Sequence, residues 1–238
     1  QFTGLGQSFI EKNLRKKNIL INDHSTKAKY IVKVDDKIII KNFSEEIYSK
    51  SEKKINDSKI NKSIKCNFQK SVLFENDDFL VIDKWSGIAT QGGTNIIISI
   101  DKIIKSISSK YNLVHRLDKE TSGLMIIAKN LKYTKLFGNL FKSQKIKKTY
   151  LAICDGKPRI NESIVDLVIN SEKNVKKIKT KTFYKVISYN QKTSLIKFEP
   201  QTGKKHQLRI VAKNLGCPIV GDIKYNLNKT KQKENLKL

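Results

Sequence analysis

The sequence predicts an α+β fold built on a mostly antiparallel sheet. Three observations carry that prediction: strand-like segments outnumber helical ones, they do not alternate strictly with helices, and no internal repeat orders them. A doubly wound nucleotide-binding fold is thereby disfavoured. The chain has 238 residues, of which 38% are hydrophobic, enough for one core of roughly 150–180 residues.

Taken in order, Ser8–Arg15 forms a short helix carrying Phe9, Ile10 and Leu14. Ile19–Ile21 and Lys37–Ile40 follow as strands, with an Asn22-Asp23 turn after the first. From Ser44 to about residue 66 the chain is lysine, serine, asparagine and glutamate with isolated isoleucines, the composition of a solvated linker. Val72–Phe74 and Phe79–Ile82, joined by the acidic turn Glu75–Asp78, read as a hairpin. Leu124–Ala128, Thr149–Cys154, Ser163–Ile169, Thr180–Tyr189 and Ser194–Phe198 are further strands. Leu131–Phe141 and Lys204–Leu215 read as helices, the second closed by Gly216 with Pro218 beyond. The lysine-rich stretch after Asn226 reads as a frayed polar end.

Lysine and arginine number 48 against 22 acidic residues, a formal net charge of +26. A coding bias toward lysine accounts for part of this. Such a bias should enrich glutamate as well, so the excess points to a polyanionic partner, nucleic acid or an anionic membrane. No apolar run is long enough to span a bilayer; Ile96–Ile98 and Leu124–Ala128 are among the longest. Cys66, Cys154 and Cys217 lie far apart without a CxxC pair. That disfavours a disulfide framework or a zinc site and fits a reducing cytosol.

Rare residues are the informative ones in so biased a chain. Only four arginines and three histidines occur, and two of each fall in VHRLDKETSG (Val114–Gly123) and GKKHQLR (Gly203–Arg209). Arginine at 116 and 209 suggests sites that need a planar, forked cation. Asp118 ends a strand-like segment and enters a polar loop. That placement suits a nucleophile or a charge that stabilises a nearby cation, and equally an Asx-type turn.

These segments resemble the RluA-type RNA pseudouridine synthases, in particular those acting on large-subunit ribosomal RNA. The resemblance covers nearly the whole chain. Besides His115-Arg116-Leu117-Asp118 and Thr121-Ser122-Gly123, it includes LFENDDFLVIDKWSG (Leu73–Gly87), Gly92-Gly93, KKTYLAICDG (Lys147–Gly156), EPQTGKKHQLRI (Glu199–Ile210) and CPIVGDIKY (Cys217–Tyr225). The chain departs from the family pattern at Lys205, where threonine is usual, and at Ala212, where histidine is common. Trp85 stands for proline and Gln91 for histidine.

The resemblance implies isomerisation of uridine to pseudouridine in RNA without metal or cofactor, with the base detached, turned and rejoined through carbon 5. It gives Asp118 the role of catalytic carboxylate, Tyr150 that of a ring stacking on the target base, and Arg209 that of a cation pairing with Asp118. Taken alone, Tyr150 reads equally as a core tyrosine and Arg209 as a helix-surface residue. Arg116, His115, His206 and Gln207 are expected to contact RNA beside the catalytic loop. The basic residues Lys12, Arg15, Lys16 and Lys17 are expected to grip phosphates from an N-terminal module.

The expected organisation is therefore an α/β RNA-binding module over 1–43, a charged linker over 44–66, an α+β mixed-sheet catalytic domain over 67–226 and a polar tail over 227–238. The resemblance also implies a module helix before Gln1 and a further stretch beyond Tyr225. The expected partner is 23S ribosomal RNA, with no membrane, for a cytoplasmic monomer. A transfer-RNA-directed enzyme and a non-catalytic RNA-binding or ribosome-assembly protein of the same fold are the alternatives.

Overall fold

A computed structural model describes residues 7–44, 60–93, 96–170, 177–226 and 236–238. The chain divides into two compact units, Gln1–Ser58 and Lys59–Leu238.

In the first unit, α1 (Gln7–Arg15) is followed by three short strands, β1 (Ile19–Ile21), β2 (His24–Ser25) and β3 (Ile38–Ile40), in the order β2-β1-β3. Ile19 and Leu20 are buried. Asn22, at positive φ, turns the chain out of β1 and accepts from the backbone N–H of Lys37 at 2.8 Å.

The second unit holds two four-stranded sheets. One runs β4-β5-β7-β6, from β4 (Val72–Glu75), β5 (Phe79–Lys84), β6 (Asn112–Leu113) and β7 (Gly123–Ala128). Alternate residues of β5 and β7 face one core, where Leu80, Ile82, Met125 and Ile127 meet Phe68, Ile100, Ile103 and Ile104. Each such side chain withdrawn from water contributes about 1.5–3 kcal/mol. The other sheet runs β8-β11-β10-β9, from β8 (Tyr150–Asp155), β9 (Glu162–Asn170), β10 (Lys177–Tyr189) and β11 (Thr193–Pro200). Its buried face presents Ala152, Tyr184, Ile196 and Phe198 to Leu208, Val211 and Ala212 of the last helix. Every ladder is antiparallel, and the single parallel pairing described is the isolated bridge Ala89–Ser99.

Several elements differ from the sequence expectation, among them the short strand β2. The linker does not reach residue 66: α2 spans Lys62–Lys70, capped by the Asn61 side chain accepting from Ile64 N, and its Phe68 is 2% exposed. Residues 45–59 of the expected linker lie outside those described. A further helix, α3 (Ile100–Ile107), carries its isoleucines at helical spacing behind a Ser99 cap. Finally, residues 236–238 are not a frayed end. Leu236 is buried in the second core, and the backbone of Lys237 bonds Ile153 and Val220. The remainder of that tail, 227–235, lies outside the described residues.

The helix α4 (Leu131–Lys142) covers the first sheet through Tyr133 and Phe137, which pack against Phe79. The last helix, α5, begins at Gln207 and ends at Asn214, three residues later than Lys204. His206, just before it, has φ of 56° and turns the chain sharply into the helix.

Candidate functional site

Loop 114–122 joins β6 to β7 and is held from beneath by the segment that leaves β5. Thr90 Oγ1 donates to the carbonyl of Leu117 at 2.6 Å and accepts from its N–H at 3.2 Å. Ser86 Oγ donates to Glu120 O at 2.8 Å, and Gly87 N donates to Lys119 O at 2.9 Å. Lys84, fully buried, gives its ammonium to the carbonyls of Trp85, Ile88 and Lys119. Burial lowers its pKa to about 8, against the pull of Glu120 and Asp118. The loop is thus fixed through its backbone on both sides of Asp118, leaving that side chain free to point elsewhere. Gly123, at φ 117°, closes the loop where a β-carbon would be strained.

Asp118 lines a cleft of about 570 Å³ between the two sheets, together with Tyr150 from β8, Thr121, His206 and Arg209. The Asp118 side chain is 22% exposed, and His206 Nε2 lies 3.9 Å from its Oδ2. Among the described residues nothing donates a hydrogen bond to this carboxylate. Tyr150 opens β8 opposite Phe198. Burial, reinforced by the charge of Asp118, raises its pKa, so it presents a neutral phenol.

Arg209 does not pair with Asp118 as expected. Its Nε and Nη2 donate to Asp222 Oδ2 and Oδ1 at 2.8 and 2.7 Å, both groups buried. Asp222 Oδ1 also accepts from the backbone N–H of Lys224 and Tyr225. Burial opposes that charge, yet these bonds hold the Asp222 pKa below the ordinary carboxylate value. The charge of Asp118 still reaches Arg209, whose pKa is raised against the cost of burial by Asp222 first and Asp118 next. The guanidinium lies over the Tyr225 ring at 5.1 Å, and the Tyr225 hydroxyl meets His206 Nδ1 at 3.0 Å. A chain of contacts therefore runs from Asp222 through Arg209 and Tyr225 to His206, the residue facing Asp118. Burial lowers the His206 pKa, with Asp118 opposing and Arg209, Lys205 and Lys224 assisting.

Of the other anticipated contacts, Arg116 is exposed at the cleft. His115 faces the cleft but is committed: its Nε2 accepts from Ile126 N at 2.9 Å and its ring stacks on Phe141. Burial, with Lys148 nearby, lowers its pKa to about 4. With Nε2 as acceptor, the neutral ring carries its proton on Nδ1. Gln207, buried at the cleft, has its side-chain amide committed within the fold. Its amide nitrogen donates to Thr182 Oγ1 and Lys181 O, and its oxygen accepts from Thr202 Oγ1 and Lys204 N. Lys12, Arg15, Lys16 and Lys17 are exposed along and just beyond the end of α1 in the first unit. Among the described residues no cluster of His, Cys, Asp or Glu is arranged to hold a metal ion, and no helix is long and apolar enough to cross a membrane.

Sequence reasoning missed Lys84, Thr90, Asp222 and Tyr225. The motifs containing Lys84, Asp222 and Tyr225 are conspicuous in the sequence, but a residue's spacing within a motif does not disclose its partner across the fold.

The cleft combines, in a strongly basic chain, a carboxylate that no described residue hydrogen-bonds and a phenol held neutral by burial, groups suited to chemistry on a polyanion. A family model described as RNA pseudouridylate synthase matches residues 78–214. Ribosomal large subunit pseudouridine synthase C of Rickettsia felis is 40% identical over 238 residues, covering 93% of this chain and 77% of the relative. Its counterpart from Buchnera aphidicola is 33% identical, covering 96% and 75%. The solved structure titled human RNA pseudouridylate synthase domain containing 4 aligns with a TM-score of 0.62 and 26% identity, over 71% of this chain and 74% of that one. The chain belongs to the RNA pseudouridylate synthase family and is an isomerase.

Proposed function

We propose that the protein converts uridine to pseudouridine in large-subunit, 23S, ribosomal RNA, with Asp118 as its catalytic carboxylate. The observation that carries the chemistry is the Asp118 carboxylate, free of hydrogen bonds from the described residues and lining one cleft with Tyr150. The substrate follows from the relatives just described, whose names specify the ribosomal large subunit.

The target uridine leaves the RNA stack and enters the cleft, at an unstacking cost of about a few kcal/mol. Tyr150 offers a neutral aromatic face to the base. The bond from the ribose anomeric carbon to N1 breaks, the base turns, and a new bond forms from that carbon to C5. The C5 proton is lost and N1 gains one, so the product is an isomer of the substrate. A carboxylate beside the anomeric carbon serves this sequence either by attacking it or by removing a ribose proton while cationic character develops. Arg209 acts from behind: held by Asp222, it directs positive charge toward Asp118.

The unit ending at Ser58 supplies an RNA-gripping module through Lys12, Arg15, Lys16 and Lys17, and the protein works in the cytoplasm. Pseudouridine mapping of ribosomal and transfer RNA, with the gene present, deleted, and replaced by its Asp118→Asn form, tests the reading. One or more large-subunit positions should lose the modification in both the deletion and the variant. Loss confined to transfer RNA would redirect the substrate, and persistence in the variant would remove Asp118 from the chemistry.

A further inference from the structure

Beside the cleft lies a second concavity of about 420 Å³, walled by Lys145, Lys147, Phe183, Glu199 and Gln201. The two share Gln144, Lys148 and Pro200, so Lys148 stands at the doorway between them. It precedes Tyr150 by two residues. A β-carbon placed on Gly203 would lie 3.6 Å from its Nζ, so the ammonium rests against the bare backbone there.

The cations of the trough are not equivalent. Glu199 is taken up by Lys147 at 3.6 Å and Lys197 at 3.2 Å. Lys148 is half-buried and makes no hydrogen bond or ion pair among the described residues. Burial alone lowers its pKa, which marks an ammonium that has lost water without gaining a carboxylate. Its charge also reaches His115 across the cleft wall. A desolvated, unpaired cation is costly to keep unless an anion arrives.

We infer that Lys148 seats a phosphate directly beside the extruded uridine and that the trough beyond carries the RNA strand as it leaves the cleft. This rests on the reading of the cleft as the seat of a uridine in RNA. A nucleotide held in the cleft remains joined to its neighbours through phosphates. The doorway at Lys148 leads to a wall whose lysines outnumber its single, already paired carboxylate. The contact positions the strand and carries no sequence information.

The test uses the full chain and a short RNA containing the mapped target. In a set of RNAs, each phosphate near the target uridine is replaced in turn by an uncharged methylphosphonate. Binding to each is measured for the parent, Lys148→Gln and Lys148→Arg. For the parent, one phosphate adjoining the target should cost about tenfold in affinity when neutralised. For Lys148→Gln that same position should cost nothing further, while the others keep their parental cost. Lys148→Arg should restore the sensitivity. On unmodified RNA, Lys148→Gln should bind about tenfold more weakly, with the salt slope flatter by about 0.7. Should Lys148→Gln fail to fold, Lys148→Met, which keeps the unbranched stem, takes its place. Equal methylphosphonate profiles for the parent and the neutral variant would overturn the inference. If the parent binds this RNA with the Lys148-dependent profile yet fails to isomerise its uridine, the proposed function fails while the assignment of Lys148 stands.

Discussion

Arg209 and Asp222 meet as a fork, two parallel bonds of 2.8 and 2.7 Å between buried groups thirteen residues apart. Lysine cannot reproduce that geometry, which explains an arginine in a chain so rich in lysine. Asp222→Ala leaves the guanidinium buried and unpaired, and should cost about 3–5 kcal/mol in stability. The pH dependence has a definite sign. A carboxylate whose folded pKa is depressed contributes stability above its unfolded value, near pH 4, and loses it as pH falls through the folded value. Acid unfolding of the parent should show this loss, and Asp222→Asn should lack it. Matching acid profiles would disconnect the pair from stability.

Asp118→Asn keeps the shape of the side chain and removes its charge. Isomerisation should fall by at least about 1000-fold in single turnover, while RNA affinity stays near the parental value. A variant working within tenfold of the parent would end the assignment.

Thr90→Val replaces the hydroxyl that serves both backbone groups of Leu117 by a methyl group of similar size. Two buried polar groups then lack partners, at about 2–4 kcal/mol, and the rate should fall with the melting temperature. Thr90→Ser keeps the hydroxyl and should recover most of both. The comparison separates the hydrogen bonds from packing.

His115, with its folded pKa lowered to about 4, binds its proton far less readily than in the unfolded chain. Stability should therefore fall as pH drops from about 6.5 to 4, by roughly 3 kcal/mol from this residue. Thermal unfolding across that range should flatten in His115→Phe. Nuclear magnetic resonance of the parent should show the ring neutral at pH 6, and a ring already charged there contradicts the assignment.

Replacing Lys12, Arg15, Lys16 and Lys17 together by glutamine should weaken RNA binding. Its salt slope should flatten by about 0.7 for each phosphate these side chains neutralise in the parent. Single-turnover rates at saturating RNA should remain. An unchanged slope would take these residues out of the interface.

Much of this was legible because the catalytic domain is antiparallel and locally patterned. Phe79–Ile82 is an unbroken apolar run and Ser194–Phe198 is rich in apolar residues, and both alternate in burial. The helix Lys62–Lys70 is hidden in the sequence because only Phe68 on it is fully buried, leaving a polar string indistinguishable from linker. Ile100–Ile107 has its cap and its isoleucines at helical spacing, a signal that was readable. Asp118, Tyr150 and Arg209 do converge on one cleft. The partner of Arg209 was not legible: only Asp118 was expected, and it is the packing of Cys217–Tyr225 against α5 that brings Asp222 to the guanidinium.

The left-handed backbone at His206 separates two demands that usually travel together, the fold of the chain and the chemistry of the ring. Glycine accepts that conformation without strain, whereas alanine resists it at a cost of about 1 kcal/mol. Position 206 is therefore one where deleting the whole side chain to glycine disturbs the turn less than trimming it to a methyl group. The space left beside Asp118 has the outline of an imidazole ring, and a small heterocycle supplied in solution can occupy it.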